Sequence, residues 1–291
     1  MAHKPVLLKE VIQYLDPKPG ENFIDCTVGG GGQALAILKK IAPRGEILGI
    51  DFSQEAIGSL KLKIKNEKLK SNLILICDNF ANLKQIVEKE NFGPIQGILL
   101  DLGLSSDLLE NSGRGFSFQK DEILDMRFNP EKQSLTAEKI LNQWSEEELF
   151  KIFQEYGEER FSKQIARKIT KERKRIKINR TFQLANLIKE TLGPRFHIKS
   201  LARIFQALRI AVNDELENLR KVLSQTVDLL QPGGKIVVIS YHSLEDRIVK
   251  RFFRSEPRLQ ILTKKPIQSS RQEIKNNPRA RSAKLRAGMK P

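Results

Sequence analysis

Cysteine, histidine and long apolar runs are scarce in this sequence. Two cysteines, Cys26 and Cys77, stand far apart among 291 residues, so neither a disulfide framework nor a zinc knuckle is expected and both thiols should be reduced. The three histidines lack metal-ligand spacing, and no metal site is predicted. No apolar run approaches the roughly 20 residues of a membrane helix, and the first residues lack the apolar core of a secretory signal. These absences predict a cytoplasmic protein without a membrane segment.

Acidic residues are too few to balance the basic ones. Lysine and arginine number 51 against 35 aspartates and glutamates, which gives a formal net charge of +16 and a pI of about 9.8. Such a charge favours a polyanionic partner through counterion release and electrostatic steering. A soluble basic protein without such a partner could have the same balance, so the position of the charge matters more than its sum.

Apolar runs alternate with helical patterns over the first hundred or so residues, which is typical of a parallel, doubly wound sheet. The alternation stops near residue 102 and resumes with the β-branched run K-I-V-V-I-S at 235–240. Roughly a hundred residues are too many for a crossover loop, so their helical patterns predict an inserted all-helical domain. The predicted domains are a first sheet part at 1–104, the insert at 105–200 and a second sheet part at 201–291.

A glycine-rich turn follows the first predicted strand, in F-I-D-C-T-V-G-G-G-G-Q-A at 23–34. Glycine takes positive φ and lets a ligand approach the backbone, while the following helix start offers free N–H groups. An ordinary tight turn between strand and helix explains the pattern equally well in isolation. Ligands of doubly wound sheets lie beyond the carboxyl ends of the strands, so the residues there decide between the two interpretations.

Carboxylates at the first two strand ends favour a particular nucleoside. Asp51, after the second strand, can accept hydrogen bonds from the ribose hydroxyls. Asp25, just before the glycines, would repel the pyrophosphate of NAD. It would attract the ammonium and sulfonium of S-adenosylmethionine. The sequence therefore predicts S-adenosylmethionine as cofactor, with Gly29 as part of the turn.

The later strand ends offer groups for the adenine and for the methyl acceptor. Asp78 and Phe80 could contact the adenine, although Phe80 is more often a core residue. Asp101 could hold an N–H of a planar amine for in-line transfer, or merely cap the next helix. Because no cysteine lies near the fourth or fifth strand end to attack a pyrimidine ring, a nitrogen or oxygen acceptor is expected. Ser240 and His242 are predicted to face the substrate with Asp101.

Basic residues cluster in the predicted insert and near the carboxyl terminus. Between residues 160 and 180 the balancing acids are nearly absent, which indicates phosphate contacts rather than a solvated helix face. Trp144 could stack on an unpaired base, although an indole between helices is more often part of the core. The predicted RNA-binding residues are Arg114, Trp144, Arg167, Lys168, Lys171, Arg173, Lys174, Arg175, Arg209, Arg279 and Arg281.

Motifs along nearly the whole chain resemble the bacterial 16S rRNA (cytosine-N4)-methyltransferases. They are H-x-P-V-L-L-K-E-V at the start, D-C-T-V-G-G-G-G, G-I-D at 49–51, I-L-L-D-L-G-L-S-S, R-G-F-S-F, L-D-M-R, Y-G-E-E-R-F, S-Y-H-S-L-E-D-R-I-V-K-R-F and N-P-R-A-R-S-A-K-L-R. The resemblance implies a class I (Rossmann-like) methyltransferase fold with a helical insert. It also implies methyl transfer from S-adenosylmethionine to the exocyclic N4 of a cytidine in the decoding region of small-subunit rRNA, as naked RNA or as the 30S particle. The implied cofactor contacts are Gly31, Gly32, Gln33, Asp51, Phe80 and Asp101.

Two positions depart from the pattern of these methyltransferases. They usually have histidine where this chain has Gln33, whose amide can still donate a hydrogen bond. They often have glutamine where this chain has Leu108, which cannot replace a polar cofactor contact. A non-catalytic ribosome-assembly factor and an NAD-dependent oxidoreductase are the alternative functions. The sequence does not fix the oligomeric state, and a homodimer is left open.

Overall fold

The computed structural model describes residues 4–64 and 72–291. The chain forms two compact units, which we call the sheet unit and the helical unit. The sheet unit comprises Met1–Gly103 with Leu216–Pro291, and the helical unit comprises Leu104–Glu215. In the described part of the chain, no helix combines the length and apolar character needed to cross a membrane.

The described strands of the sheet unit form one mixed sheet with a parallel centre. Its order is β3-β2-β1-β4-β5-β8-β6, with β7 also paired to β8. Strands β1 to β5 run parallel, and β6 to β8 add antiparallel pairs at one edge. The winding reverses between β1 and β4, which opens a crevice at their carboxyl ends. The strands are β1 Phe23–Asp25, β2 Ile47–Asp51, β3 Leu73–Cys77, β4 Ile95–Asp101, β5 Leu230–Ser240, β6 Gln260–Ile261, β7 Ile267–Gln268 and β8 Lys284–Met289.

Helices cover both faces of this sheet. They are α1 Leu8–Leu15, α2 Gly32–Ile41, α3 Gln54–Ile64, α4 Leu83–Lys89, α11 Glu215–Leu229, α12 Ser243–Ser255 and α13 Arg271–Asn276. Phe23 and Leu99 pack in the core formed with α1, α2 and α3. Their chain neighbours Ile24 and Ile98 pack in the core formed with α4, α11 and α12. Because successive side chains of a strand point to opposite faces, strands buried on both sides appear as the continuous apolar runs of the sequence. The doubly wound prediction is confirmed. The sequence pattern after Ser53 predicts a helix to about Lys68, and the part of it beyond Ile64 lies outside the described residues.

The helical unit consists of α5 Ser106–Glu110, α6 Ala137–Gln143, α7 Glu146–Glu155, α8 Ser162–Glu172, α9 Thr181–Leu192 and α10 Ile198–Asn213, together with its loops. Its apolar core includes Leu201 and Phe205 of α10. The division between units therefore lies at Glu215 rather than at the predicted residue 200. The helical pattern that runs through both regions hides this division, because α10 ends only where Asp214 takes a left-handed conformation with φ of 50°.

Candidate functional site

The glycine turn joins β1 to α2 in a backbone conformation that favours glycine. Gly29 and Gly31 have φ values of 44° and 77°. A Cβ on Gly31 would lie 2.6 Å from Cδ1 of Leu60, and a Cβ on Gly32 would lie 3.1 Å from Cβ of Pro5. Positive φ is costly for any other residue, and the contact with Leu60 leaves no room for a methyl group at Gly31. Both the dihedral angles and the packing thus require glycine here.

Asp51 at the end of β2 holds this turn in place. Its Oδ2 accepts a hydrogen bond of 2.9 Å from the Gly29 amide, and its Oδ1 accepts one of 2.8 Å from the Ser53 amide. Burial raises the pKa of the Asp51 carboxyl in spite of these bonds. Each carboxylate oxygen can accept a second hydrogen bond, so Asp51 keeps the capacity to accept ribose hydroxyls.

Asp25 at the end of β1 is almost completely buried, with 2% of its surface exposed. Its Oδ1 accepts a hydrogen bond of 3.1 Å from the Thr27 amide. Burial, together with the neighbouring Asp101 and Asp51 carboxylates, raises the pKa of the Asp25 carboxyl to about 7, although the Thr27 hydrogen bonds lower it. A cation placed among these groups would oppose their repulsion.

Asp101 at the end of β4 is hydrogen-bonded from two sides. The Tyr241 hydroxyl donates to Oδ1 at 2.8 Å, and Nε2 of Gln33 donates to Oδ2 at 2.6 Å. Burial raises the pKa of the Asp101 carboxyl to about 6, although both hydrogen bonds favour the ionised form. The structure thus brings the three predicted acids to one edge of the sheet, as an anionic site suited to a cationic ligand.

Three predicted site residues at this edge are engaged within the protein. The Gln33 amide donates to Asp101 and is buried. Ser240 is also buried, and its hydroxyl lies 3.4 Å from the Lys284 carbonyl, to which it donates. The His242 ring caps α12, where its Nδ1 accepts a hydrogen bond from the Glu245 amide. The sequence pattern Ser243-x-x-Asp246 is typical of a capping box, but the structure has the cap one residue earlier, at His242 with Glu245.

Tyr241 contacts the site through Asp101; the sequence suggests only that it is free, like His242, to face the substrate, and assigns it no role. Its position directly after β5 is a sequence signal, because the carboxyl ends of neighbouring parallel strands meet at one edge. The sequence could not show that the phenol turns toward Asp101 while Ser240, its neighbour, turns toward β8. The alternation of side chains along a strand end decides that difference.

The predicted adenine contacts follow β3, and Phe80 begins a short 3₁₀ turn, Phe80–Asn82. Oδ1 of Asp78 accepts hydrogen bonds from the Asn79 amide and from Nδ2 of Asn82. Phe80 is partly buried against the core formed with α4 and α11, as expected for a phenylalanine that belongs to the core. Leu108, at the cofactor-binding position where related methyltransferases often have glutamine, packs against the apolar core of the helical unit.

Four predicted RNA-binding residues stabilise the helical unit instead. Arg114 is buried and donates to the carbonyls of Arg127 and Phe128. Arg173 donates to the Leu141 and Trp144 carbonyls at 2.8 and 2.5 Å, at the end of α6. The others are Arg209, which forms an ion pair of 2.8 Å with Glu215, and Trp144, which packs against the helical core. Charge density in a sequence cannot distinguish these internal cations from exposed ones.

Other predicted basic residues lie on or near the surface. Lys168 is half-buried and pairs with Glu172 at 3.0 Å, one helical turn away. In the sheet unit, Arg279 is half-buried and Arg281 is exposed. Among the predicted RNA-binding residues, Arg167 and Lys171 of α8 and Lys174 and Arg175 directly after it are exposed, and we call these four residues the basic face.

Comparisons with known proteins place this arrangement in a family. The chain matches the model of the MraW methylase family over residues 1–290. It is 45% identical to "Ribosomal RNA small subunit methyltransferase H" of Halothermothrix orenii, over 98% of this chain and 97% of that protein. The protein of the same name from Dictyoglomus thermophilum is 46% identical, over 98% of this chain and 96% of its own.

A solved structure adds a likeness of fold. The crystal structure of a proposed rRNA methylase from Clostridium thermocellum superposes with a TM-score of 0.50 at 14% identity, over 100% of both chains. This likeness supports the predicted class I methyltransferase fold. Together with the full-length match, it confirms the resemblance seen in the motifs, and the chain belongs to the MraW methylase family.

Proposed function

We propose that this protein methylates the exocyclic N4 of a cytidine in the decoding region of small-subunit rRNA, with S-adenosylmethionine as methyl donor. Full-length relatives that carry the name of a small-subunit rRNA methyltransferase support the substrate class. The nucleotide and its N4 atom rest on the sequence resemblance and on the chemistry of Asp101. This substrate places the protein in the cytoplasm, with the rRNA or the 30S particle as its partner.

The observation that carries this proposal is the set of three carboxyls at neighbouring strand ends, of which Asp25 is buried and Asp51 and Asp101 are half-buried. Burial raises the pKa of all three carboxyls, and the Asp101 and Asp51 carboxylates also raise the pKa of Asp25. A ligand that brings positive charge relieves this cost of ionisation, whereas a pyrophosphate would add to it. The acids therefore fit S-adenosylmethionine better than NAD, and the bound cofactor would supply an electrophilic methyl group.

Each part of the edge has a role in holding this cofactor. The glycine turn of Gly29, Gly31 and Gly32 admits a ligand to the backbone, and Asp51 can accept the ribose hydroxyls. Asp25 lies closest in the chain to the turn and attracts the cationic part of the ligand. Asp78 and Phe80 are proposed to border the adenine.

Asp101 is the proposed catalytic residue because it can accept an N–H of the target amine. Holding that N–H directs the nitrogen lone pair away from the ring and toward the methyl group. The chain needs no thiol for such an acceptor, and its Cys26 and Cys77 lie at the ends of β1 and β3. The amine lies at the pairing edge of a base, so the cytidine must be unpaired or flipped out to reach Asp101.

The basic face is proposed to bind the rRNA backbone. The four cations of the basic face are exposed, unlike Arg114, Arg173 and Arg209, which form hydrogen bonds or ion pairs within the helical unit. Contacts between such exposed cations and phosphates add affinity but carry no sequence specificity. Arg281 in the sheet unit is proposed to add a further phosphate contact.

The test is incubation of the protein with methyl-labelled cofactor and either naked 16S rRNA or immature 30S particles, followed by mapping of the modified nucleotide. Label on the N4 of one decoding-region cytidine is the expected result. Label on another atom or in another RNA contradicts the proposed target. No label at saturating cofactor would favour an assembly factor, and calorimetric binding of NAD without binding of S-adenosylmethionine would favour an oxidoreductase.

A further inference from the structure

The Asp101 carboxylate is held by two donors from different parts of the sheet unit. Tyr241 follows β5 and donates its hydroxyl to Oδ1, while Gln33 in the first turn of α2 donates its amide to Oδ2. The backbone amide of Asp101 also donates to Oγ1 of Thr27 at 2.7 Å. With one oxygen fixed from each side, the carboxylate cannot rotate without breaking a hydrogen bond.

The backbone around this carboxylate is shaped to accommodate the Tyr241 ring. Gly103 has a φ of 128°, and a Cβ at this position would lie 2.9 Å from Cδ2 of Tyr241. The amide of Tyr241 donates to Oε2 of Glu245 at 2.8 Å. Burial and the Asp101 carboxylate raise the pKa of the Tyr241 phenol above its usual value, so the hydroxyl stays protonated and remains a donor.

We infer that Tyr241 and Gln33 are positioning residues that orient the Asp101 carboxylate toward the methyl acceptor, an inference that rests on the proposed function. Each carboxylate oxygen has two lone pairs in its plane, and each tether uses one of them. The remaining lone pairs have a fixed direction and can accept the N–H of the target amine. A fixed acceptor avoids the loss of rate that a rotating one would cause.

The same tethers set the pH range in which Asp101 can accept a hydrogen bond. The ionisable groups that face its carboxyl are Tyr241, Glu245 at the start of α12, and Asp25 on β1. Asp25 and Glu245 are acids and oppose ionisation of Asp101, as does burial. The hydrogen bonds from Tyr241 and Gln33 favour the ionised form, so loss of either tether should raise the pKa of Asp101 above about 6.

Methyl transfer measured between pH 5.5 and 9 at saturating cofactor tests both consequences. The wild-type rate should rise with pH around an inflection near 6. Tyr241→Phe keeps the ring and removes the donor, which should move the inflection up by about one pH unit. The rate at pH 6 then falls about fivefold from ionisation alone. At pH 9 kcat should still be about tenfold low because the carboxylate is no longer fixed, with the cofactor KM within about twofold of wild type.

Matched variants separate positioning from a general effect on the fold. Gln33→Met removes the second donor at similar volume and should shift the same inflection in the same direction. Tyr14→Phe changes a tyrosine of α1 that packs in the same core as Tyr241, and it should keep the wild-type profile. Wild-type kcat and inflection in both Tyr241→Phe and Gln33→Met would overturn the inference, as would an equal change in Tyr14→Phe.

Titration of the Asp101 side chain without RNA keeps this inference distinct from the proposed function. The carboxyl carbon, labelled with ¹³C and assigned through Asp101→Asn, reports ionisation directly by NMR. Its midpoint should be higher in Tyr241→Phe than in the wild type, and equal midpoints would overturn the tether. Absence of methylation by the wild-type protein would instead overturn the proposed function.

Discussion

The buried Asp25 makes the ligand-free protein less stable as the pH rises, and Asp25→Asn should remove that dependence. The pKa of this carboxyl is raised from 3.8 to about 7. Between these values the folded state binds more protons than the unfolded state, so stability is present at low pH and is lost as the pH rises through 7. Each pH unit is equivalent to about 1.4 kcal/mol, so the whole loss is about 4 kcal/mol.

Urea unfolding at pH 5 and pH 8, in the absence of cofactor, measures this effect. About 2.5 kcal/mol of the Asp25 contribution falls between these two pH values. The free energy of unfolding of Asp25→Asn should therefore rise relative to wild type by about that amount from pH 5 to pH 8. The comparison across pH is the useful one, because the buried amide nitrogen of the variant adds a cost that is the same at both pH values.

Asp228→Asn provides the matched control, because Asp228 is exposed and pairs with Arg258 on the surface. This variant should follow the wild type at both pH values within about 0.5 kcal/mol. Parallel curves for wild type and Asp25→Asn would refute the reasoning that burial keeps this carboxyl protonated. They would also remove the main electrostatic reason for a cationic ligand beside the glycine turn.

Two further changes test the turn and the basic face. Urea unfolding should show that Gly31→Ala lowers the free energy of unfolding by about 1–3 kcal/mol more than Gly113→Ala does. Both glycines have positive φ, but only Gly31 faces Leu60. Equal losses of unfolding free energy would mean that the contact with Leu60 is relieved without cost. Lys174→Gln should weaken rRNA binding and make the slope of log affinity against log salt less steep by about one. Arg173→Gln should instead lower the free energy of unfolding by about 1–3 kcal/mol, because its hydrogen bonds to two carbonyls are lost. Both variants are compared with the wild type by rRNA binding from 50 to 300 mM salt and by thermal unfolding. Loss of stability in Lys174→Gln together with loss of rRNA binding alone in Arg173→Gln would contradict the structure.

The difference between Arg173 and Lys174 illustrates what sequence alone could not resolve. Adjacent cations in one basic run have the same composition and charge, yet one donates to the end of α6 and the other is exposed. Helical periodicity determines which residues share a face of their own helix, but it does not say which neighbouring carbonyls lie opposite. Nor does the sequence show that Arg114, in a loop, donates to the carbonyls of Arg127 and Phe128, or that Arg209 of α10 pairs with Glu215.

The sequence by itself determined the doubly wound sheet, the glycine turn and the acids at the strand ends, because these follow from local periodicity and from the common direction of parallel strands. It also determined the family, through motifs along the whole chain. Only the tertiary structure decided which side chains at that edge contact one another. Gln33 and Tyr241 lie far apart in the chain. Both donate a hydrogen bond to Asp101 because α2 and the end of β5 meet at the carboxyl end of β4.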